Sequence, residues 1–227
     1  VTGRTPTPVV LVHGTRTSAA IWDRQVRTLT RAGHPCTAPD LPGHGVRSGE
    51  VFTTRGAFEV IDRAVAGAPG PPLLVGLSLG GYLSLAYSAR SSRAVAGLVL
   101  SGCSTEIRGM PLLAYRRVST ALARLTGRAH RWQVVADMLE QMHGYSSIGD
   151  LRRATVPVWT VDGRRDPLRL GARRLRAAGP GPRRVVVPRA GHDVNTEAPV
   201  AFDRALLTVL ARLDDGSAGT GGAVPSL

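Results

Sequence analysis

At 227 residues the chain has the size of one larger domain, long enough to enclose a substantial core. Apolar residues make up 43% of it, yet no run reaches the roughly 18 uninterrupted apolar residues that a membrane-crossing helix needs. The formal charge of +13 rests on 29 basic residues, all arginine, scattered in doublets such as Arg116-Arg117, Arg164-Arg165 and Arg183-Arg184 without aromatic interleaving, a pattern of coding bias rather than of a nucleic-acid face.

Taken in chain order, Val9-Val10-Leu11-Val12 is a continuous apolar run ending in His13-Gly14, the pattern of a parallel strand buried on both faces. Ile21 to Arg31 has helical spacing, and a second strand is expected at Cys36-Thr37-Ala38, followed by a helix from Phe58 to Ala66. Leu73-Leu74-Val75 reads as the third strand and Gly81 to Arg90 as the helix after it. Val95 to Leu100, Val156 to Val161 and Val185-Val186-Val187 complete the strands, with helices at Leu168 to Ala178 and Val200 to Leu213. Strands alternating with helices predict an α/β fold, about six mostly parallel strands with helices on both faces.

One stretch breaks the alternation. Residues 104–149 contain no convincing strand but have helical patterns carrying Trp132, Met138 and Met142, and they read as a small helical cap packed over a site. The alternative is a helical excursion that fills out the core. The expected organisation is a core of residues 1–103 and 150–213, a cap at 104–149, and a mobile tail at 214–227 with the composition of a linker. No secretory signal pattern opens the sequence, and a cytoplasmic location is expected.

The most informative segment is Gly76-Leu77-Ser78-Leu79-Gly80, between the third strand and its helix. Strand, G-x-S-x-G turn and helix describe a nucleophile elbow: the serine backbone is strained, and flanking glycines are required because side chains there would strike the neighbouring strand and helix. Ser78 would then stand at a strand's carboxyl end and a helix N-terminus, where developing negative charge is favoured. A serine nucleophile needs a base, and the base an orienting acid. After the strand ending at Val161 comes Asp162-Gly163-Arg164-Arg165-Asp166-Pro167, and after that ending at Val187 comes Pro188-Arg189-Ala190-Gly191-His192-Asp193. The expected triad is Ser78, Asp166 and His192. Asp162 is the runner-up acid, set against the end of its strand; Asp193 would face away from the ring; Asp40 is expected to close its own turn.

These landmarks, with His13-Gly14 after the first strand and Asp40-Leu41-Pro42-Gly43-His44-Gly45 after the second, resemble the α/β-hydrolase fold superfamily, in its cap-bearing esterase and lipase-like group. The resemblance extends from Val9 to Leu213. It implies the sheet order second, first, third, fourth, fifth, sixth, and, with eight residues ahead of Val9, a small version without an antiparallel opening hairpin. It implies an oxyanion hole from the backbone N–H groups of Thr15 and Leu79, each such donor being worth roughly 3 to 4 kcal/mol in other enzymes. In that sheet order Cys36 and Cys103 lie on strands three steps apart, about 14 Å, beyond the about 7 Å a disulfide allows, so free thiols are expected. His13 and His44 are implied to be structural or site-lining, and His13 joins Trp132, Met138 and Met142 as a candidate substrate contact.

The activity expected from this constellation is serine hydrolysis of a carboxylic ester, thioester or lactone of a small apolar molecule. Hydrolysis of a C–C bond uses the same triad. A non-hydrolytic lyase or cyclase on this fold is a further alternative, and a ligand-binding protein without activity is disfavoured by the complete triad. No histidines or cysteines have metal-ligand spacing, and the glycine turn lacks the dinucleotide spacing and, in a lysine-free chain, the P-loop lysine. Neither metal nor cofactor is expected.

Overall fold

A computed structural model describes residues 5–104, 106, 129–142, 144–177 and 183–217. Six strands, β1 (Val9–Val12), β2 (Cys36–Thr37), β3 (Leu73–Leu77), β4 (Gly97–Ser101), β5 (Val158–Gly163) and β6 (Arg183–Val187), form one sheet in the order β2-β1-β3-β4-β5-β6. Every pairing is parallel. Because successive side chains point to opposite faces, each buried strand feeds two cores. Val10, Val12, Leu74 and Leu98 belong to one cluster, and Val9, Leu11, Leu73 and Val99 to the other.

The first face is covered by α2 (Thr54–Ala66) and α3 (Leu79–Ser88), the second by α1 (Asp23–Arg31) and the long C-terminal helix, which runs over Pro199–Asp214. Between β4 and β5 the described residues form α4 (Ala129–Gln141) and α5 (Ser147–Arg153). A 3-10 turn (Pro167–Gly171) and α6 (Ala172–Ala177) precede β6, and the short α7 (Val194–Glu197) leads into α8, the C-terminal helix already described.

Element types agree with the sequence reading, and their ends shift where capping decides. The second helix begins at Thr54, four residues before the apolar spacing, because the Thr53 hydroxyl caps it by accepting from the Gly56 N–H at 3.0 Å. The segment expected as a helix from Leu168 starts as a 3-10 turn, and residue 178 lies outside the described residues. Asp214, counted with the tail in the expected organisation, ends α8 and accepts hydrogen bonds from the Thr7 N–H and hydroxyl at 3.0 and 2.5 Å; residues 218–227 lie outside the described residues. Cys36 and Cys103 are free thiols.

Candidate active site

Ser78 alone joins β3 to α3, and its backbone sits at φ 52° and ψ −117°. A non-glycine residue held there costs about 1–3 kcal/mol, so its surroundings must impose it. They do so through close backbone packing. A Cβ on Gly80 would run into the carbonyl groups of Val12 and His13, and one on Gly76 would run into the Gly80 carbonyl. The Ser78 N–H donates to the Ser101 carbonyl at 2.7 Å, which fastens the elbow to β4.

The loops after β5 and β6 meet beside it. Arg164 and Arg165 N–H groups donate to the Val187 and Ala190 carbonyls, both at 2.9 Å, and Gly163 has no Cβ to hold the loops apart: one built there would collide with the Ala190 and Gly191 carbonyls. Asp166, 2% exposed, consequently reaches His192, with Oδ2 3.0 Å from Nδ1, while its Oδ1 accepts from the Leu168 N–H at 2.9 Å. A carboxylate accepts only, so the ring hydrogen sits on Nδ1 and Nε2 is left as the basic nitrogen. Burial lowers the imidazole pKa, but the hydrogen bond and charge of Asp166, helped by Asp193 and Glu197, outweigh it and the net shift is upward.

Two supports of His192 escape the motif reading. Glu197 accepts from the N–H groups on either side of the histidine, Gly191 at 2.7 Å and Asp193 at 3.3 Å, so α7 clamps the loop from its far end. The sequence signal is a carboxylate a few residues into a helix, reaching back as in a capping box. Gly102, at φ 63°, lies under the ring: a Cβ there would be 2.8 Å from His192 Cε1.

Ser78, Asp166 and His192 line one cavity of about 460 Å³, together with Thr15 and Leu79. The N–H groups of Thr15 and Leu79 have no hydrogen-bond acceptor among the described residues. Leu79 opens α3, where a first-turn N–H has no carbonyl within the helix to meet. The remaining cavity wall is largely apolar, with Leu77, Tyr82, Met138, Leu139 and Leu168.

The other sequence candidates divide between the cavity and the surrounding scaffold. His13 does not line the cavity: its ring is fully buried and bonded to backbone at both nitrogens, because the β1 end lies under the loop that follows β2. Met142 is also absent from the cavity and packs in the core cluster below it, whereas Met138, one helical turn earlier, lines it. The Trp132 side chain lies outside the described residues. Asp162 is the last-but-one residue of β5 and points away to the Ser104 hydroxyl, 2.9 Å from each carboxylate oxygen, and to Arg184 at 3.4 Å. Burial raises its pKa. Asp193 borders the cavity. Asp40 accepts from the Val46 N–H in its own turn and from Ala19 across to the neighbouring loop. Among the described residues no group of three His, Cys, Asp or Glu is arranged to hold a metal ion, and no helix is long and apolar enough to cross a membrane.

The model of the alpha/beta hydrolase family matches residues 9–205, and the chain belongs to that family. A protein from Oryza sativa subsp. indica named as an esterase is 38% identical over 104 residues, a stretch covering 41% of this chain and 38% of the rice protein's length. The 2-hydroxy-6-oxononadienedioate/2-hydroxy-6-oxononatrienedioate hydrolase of Cupriavidus pinatubonensis is 25% identical over 257 aligned positions, covering 92% of this chain and 88% of that protein. Among solved structures, a thermophilic esterase from Thermogutta terrifontis superposes with a TM-score of 0.75 at 23% identity, covering 92% of this chain and 91% of that one; at that identity the likeness is one of fold.

Proposed function

We propose that this alpha/beta hydrolase cleaves carboxylic esters of small apolar molecules through an acyl-enzyme on Ser78. The observation that carries the reading is the strained Ser78 turn facing the same cavity as His192, whose Nδ1 is engaged by Asp166 at 3.0 Å. His192 Nε2 takes the Ser78 proton as Oγ attacks the ester carbonyl, and the carbonyl π pair moves onto oxygen. The oxyanion lies between the N–H groups of Leu79 and Thr15. On collapse the ester C–O bond breaks and the alcohol leaves with the proton from His192. Water, deprotonated by the same imidazole, then attacks the acyl-enzyme; its collapse releases the acid and returns the proton to Ser78. Asp166 keeps the hydrogen on Nδ1 throughout and stabilises the imidazolium. The chemistry requires no cofactor.

Met138 and Leu139 of α4 form part of the cavity wall, which supports the role of a cap for the segment between β4 and β5. A cavity of about 460 Å³ with such a wall suits a modest apolar acyl or alcohol group. The extended likeness to the Cupriavidus hydrolase supports a second reading, hydrolytic C–C cleavage of an oxo-dienoate with the same three residues.

The test uses p-nitrophenyl esters of two to eight acyl carbons, a 2-hydroxy-6-oxo-dienoate, and a fluorophosphonate label. Ester turnover, labelling of the Ser78 peptide, and a loss of at least about a thousandfold in folded Ser78→Ala are expected. Turnover of the dienoate alone would select the second reading. Near-normal ester turnover by folded Ser78→Ala would remove the nucleophile, and failure to label in protein that still binds apolar ligands would favour a non-hydrolytic enzyme.

A further inference from the structure

The His13 ring has a backbone partner at each nitrogen: the Leu41 N–H lies 3.0 Å from Nε2, and the Gly14 carbonyl oxygen lies 2.8 Å from Nδ1. An amide N–H only donates and a carbonyl only accepts. Both bonds therefore coexist in one state of the ring, neutral with its hydrogen on Nδ1. The same Gly14 oxygen accepts from the Thr17 hydroxyl at 2.9 Å. The Gly14–Thr15 peptide is trans, and in a trans peptide the C=O and the following N–H point in opposite directions. Two donors that fix the carbonyl thereby fix the Thr15 N–H.

Thr15 lines the cavity together with Ser78 and Leu79. Gly14 abuts the nucleophile so closely that a Cβ on it would lie 3.3 Å from Ser78 Cβ. The ring is steadied from behind by the loop after β2, in which Asp40 holds both the Val46 N–H at 2.8 Å and the Ala19 N–H at 2.7 Å.

We infer that His13 is a positioning residue for the oxyanion site: the Leu41 N–H fixes its tautomer, its Nδ1–H turns the Gly14 carbonyl away from the cavity, and the Thr15 N–H is thereby aimed at the developing oxyanion. The inference rests on reading Thr15 as an oxyanion donor. The other tautomer would set a lone pair against the Gly14 oxygen and turn the peptide, and the Thr15 N–H with it.

Two amide replacements separate this role from packing. Asn places its Nδ2 donor near the position of Nδ1 and keeps the bond to Gly14. Gln reaches the position of Nε2 and keeps the bond to Leu41 while losing that to Gly14. With p-nitrophenyl butyrate, His13→Gln should lose at least about tenfold in kcat with KM within about twofold, since removing one oxyanion donor outright costs roughly 100- to 1000-fold. His13→Asn should stay within about threefold of wild type. Inhibition by butylboronic acid, a tetrahedral mimic, should weaken in His13→Gln by the factor lost from kcat/KM and be little changed in His13→Asn. Equal losses in the two variants, or wild-type kcat in both, overturn the role. Should neither fold, Thr17→Val decides, because it removes the other donor to the same carbonyl from a half-buried side chain: a kcat loss of about three- to tenfold is expected, and unchanged kcat overturns the inference. Fluorophosphonate labelling of wild-type Ser78 is read first. Its absence counts against the acyl-enzyme itself, whereas labelled wild type with matching Asn and Gln variants counts only against His13.

Discussion

Acidifying the protein from pH 7 to pH 4 should cost stability at one identifiable ring. Burial, the largest influence, lowers the His13 pKa from the ordinary 6.5 to about 4, with the Gly14 carbonyl and Asp40 opposing and His44 adding to the shift. Below about pH 6.5 the unfolded chain takes up a proton on this residue that the folded chain refuses until about pH 4, so stability falls as pH falls through that window and levels off beneath it. Two and a half pKa units at about 1.36 kcal/mol each amount to about 3 kcal/mol. His44, also lowered by burial, acts in the same direction. His192, net raised, acts oppositely: its contribution is present below the unfolded pKa and is lost as pH rises through the folded one. Both remain in His13→Asn, so comparing that variant with wild type isolates the ring. Urea denaturation at half-unit steps from pH 4 to 7.5 should show the wild type losing about 3 kcal/mol more than the variant between the ends of the window. Parallel curves, differing only by a constant offset, would refute the buried neutral imidazole and with it the tautomer argument for Gly14.

Asp166→Asn should lower kcat/KM by about a thousandfold or more, and the acid limb of its pH profile should move to lower pH, because the carboxylate that raises the His192 pKa is gone. An unmoved limb would mean that another group sets it. His192→Ala should abolish ester turnover, whereas His34→Ala, whose ring bonds the Thr7 carbonyl and does not line the cavity, should leave kcat near wild type; steady-state kinetics on folded protein decide. Met138→Ala should shift the preferred acyl length, while Met142→Ala should cost about 2–5 kcal/mol of stability with the preference unchanged, read from chain-length kinetics and thermal melts.

Much of the candidate site's geometry was legible because the segments that build it are local in sequence. A strand buried on both faces must be a continuous apolar run, so the core strands announced themselves, and an elbow with glycines on both sides of Ser78 is required wherever backbone packs as closely as Gly80 does against Val12 and His13. Chain order then put the candidate acid and base at later strand ends. The paired acid was decided by where β5 stops: Asp162 is still in the strand, in register with Val186, and its side chain is committed to Ser104 and Arg184, while Asp166 lies beyond the Gly163 turn that brings it to His192. His13 shows the converse. A histidine at the end of a strand is written identically whether it faces substrate or scaffold, and only the approach of the loop after β2, with the Leu41 N–H at its Nε2, buries and fixes it. Likewise Met138 in α4 and Met142 just past its end are four residues apart, yet the first lines the cavity and the second packs in the core cluster, a difference that helical spacing does not announce. Composition and periodicity report the face a residue turns inward; what it meets there is set by chain segments distant in sequence, and that is decided only when the sheet and its loops close.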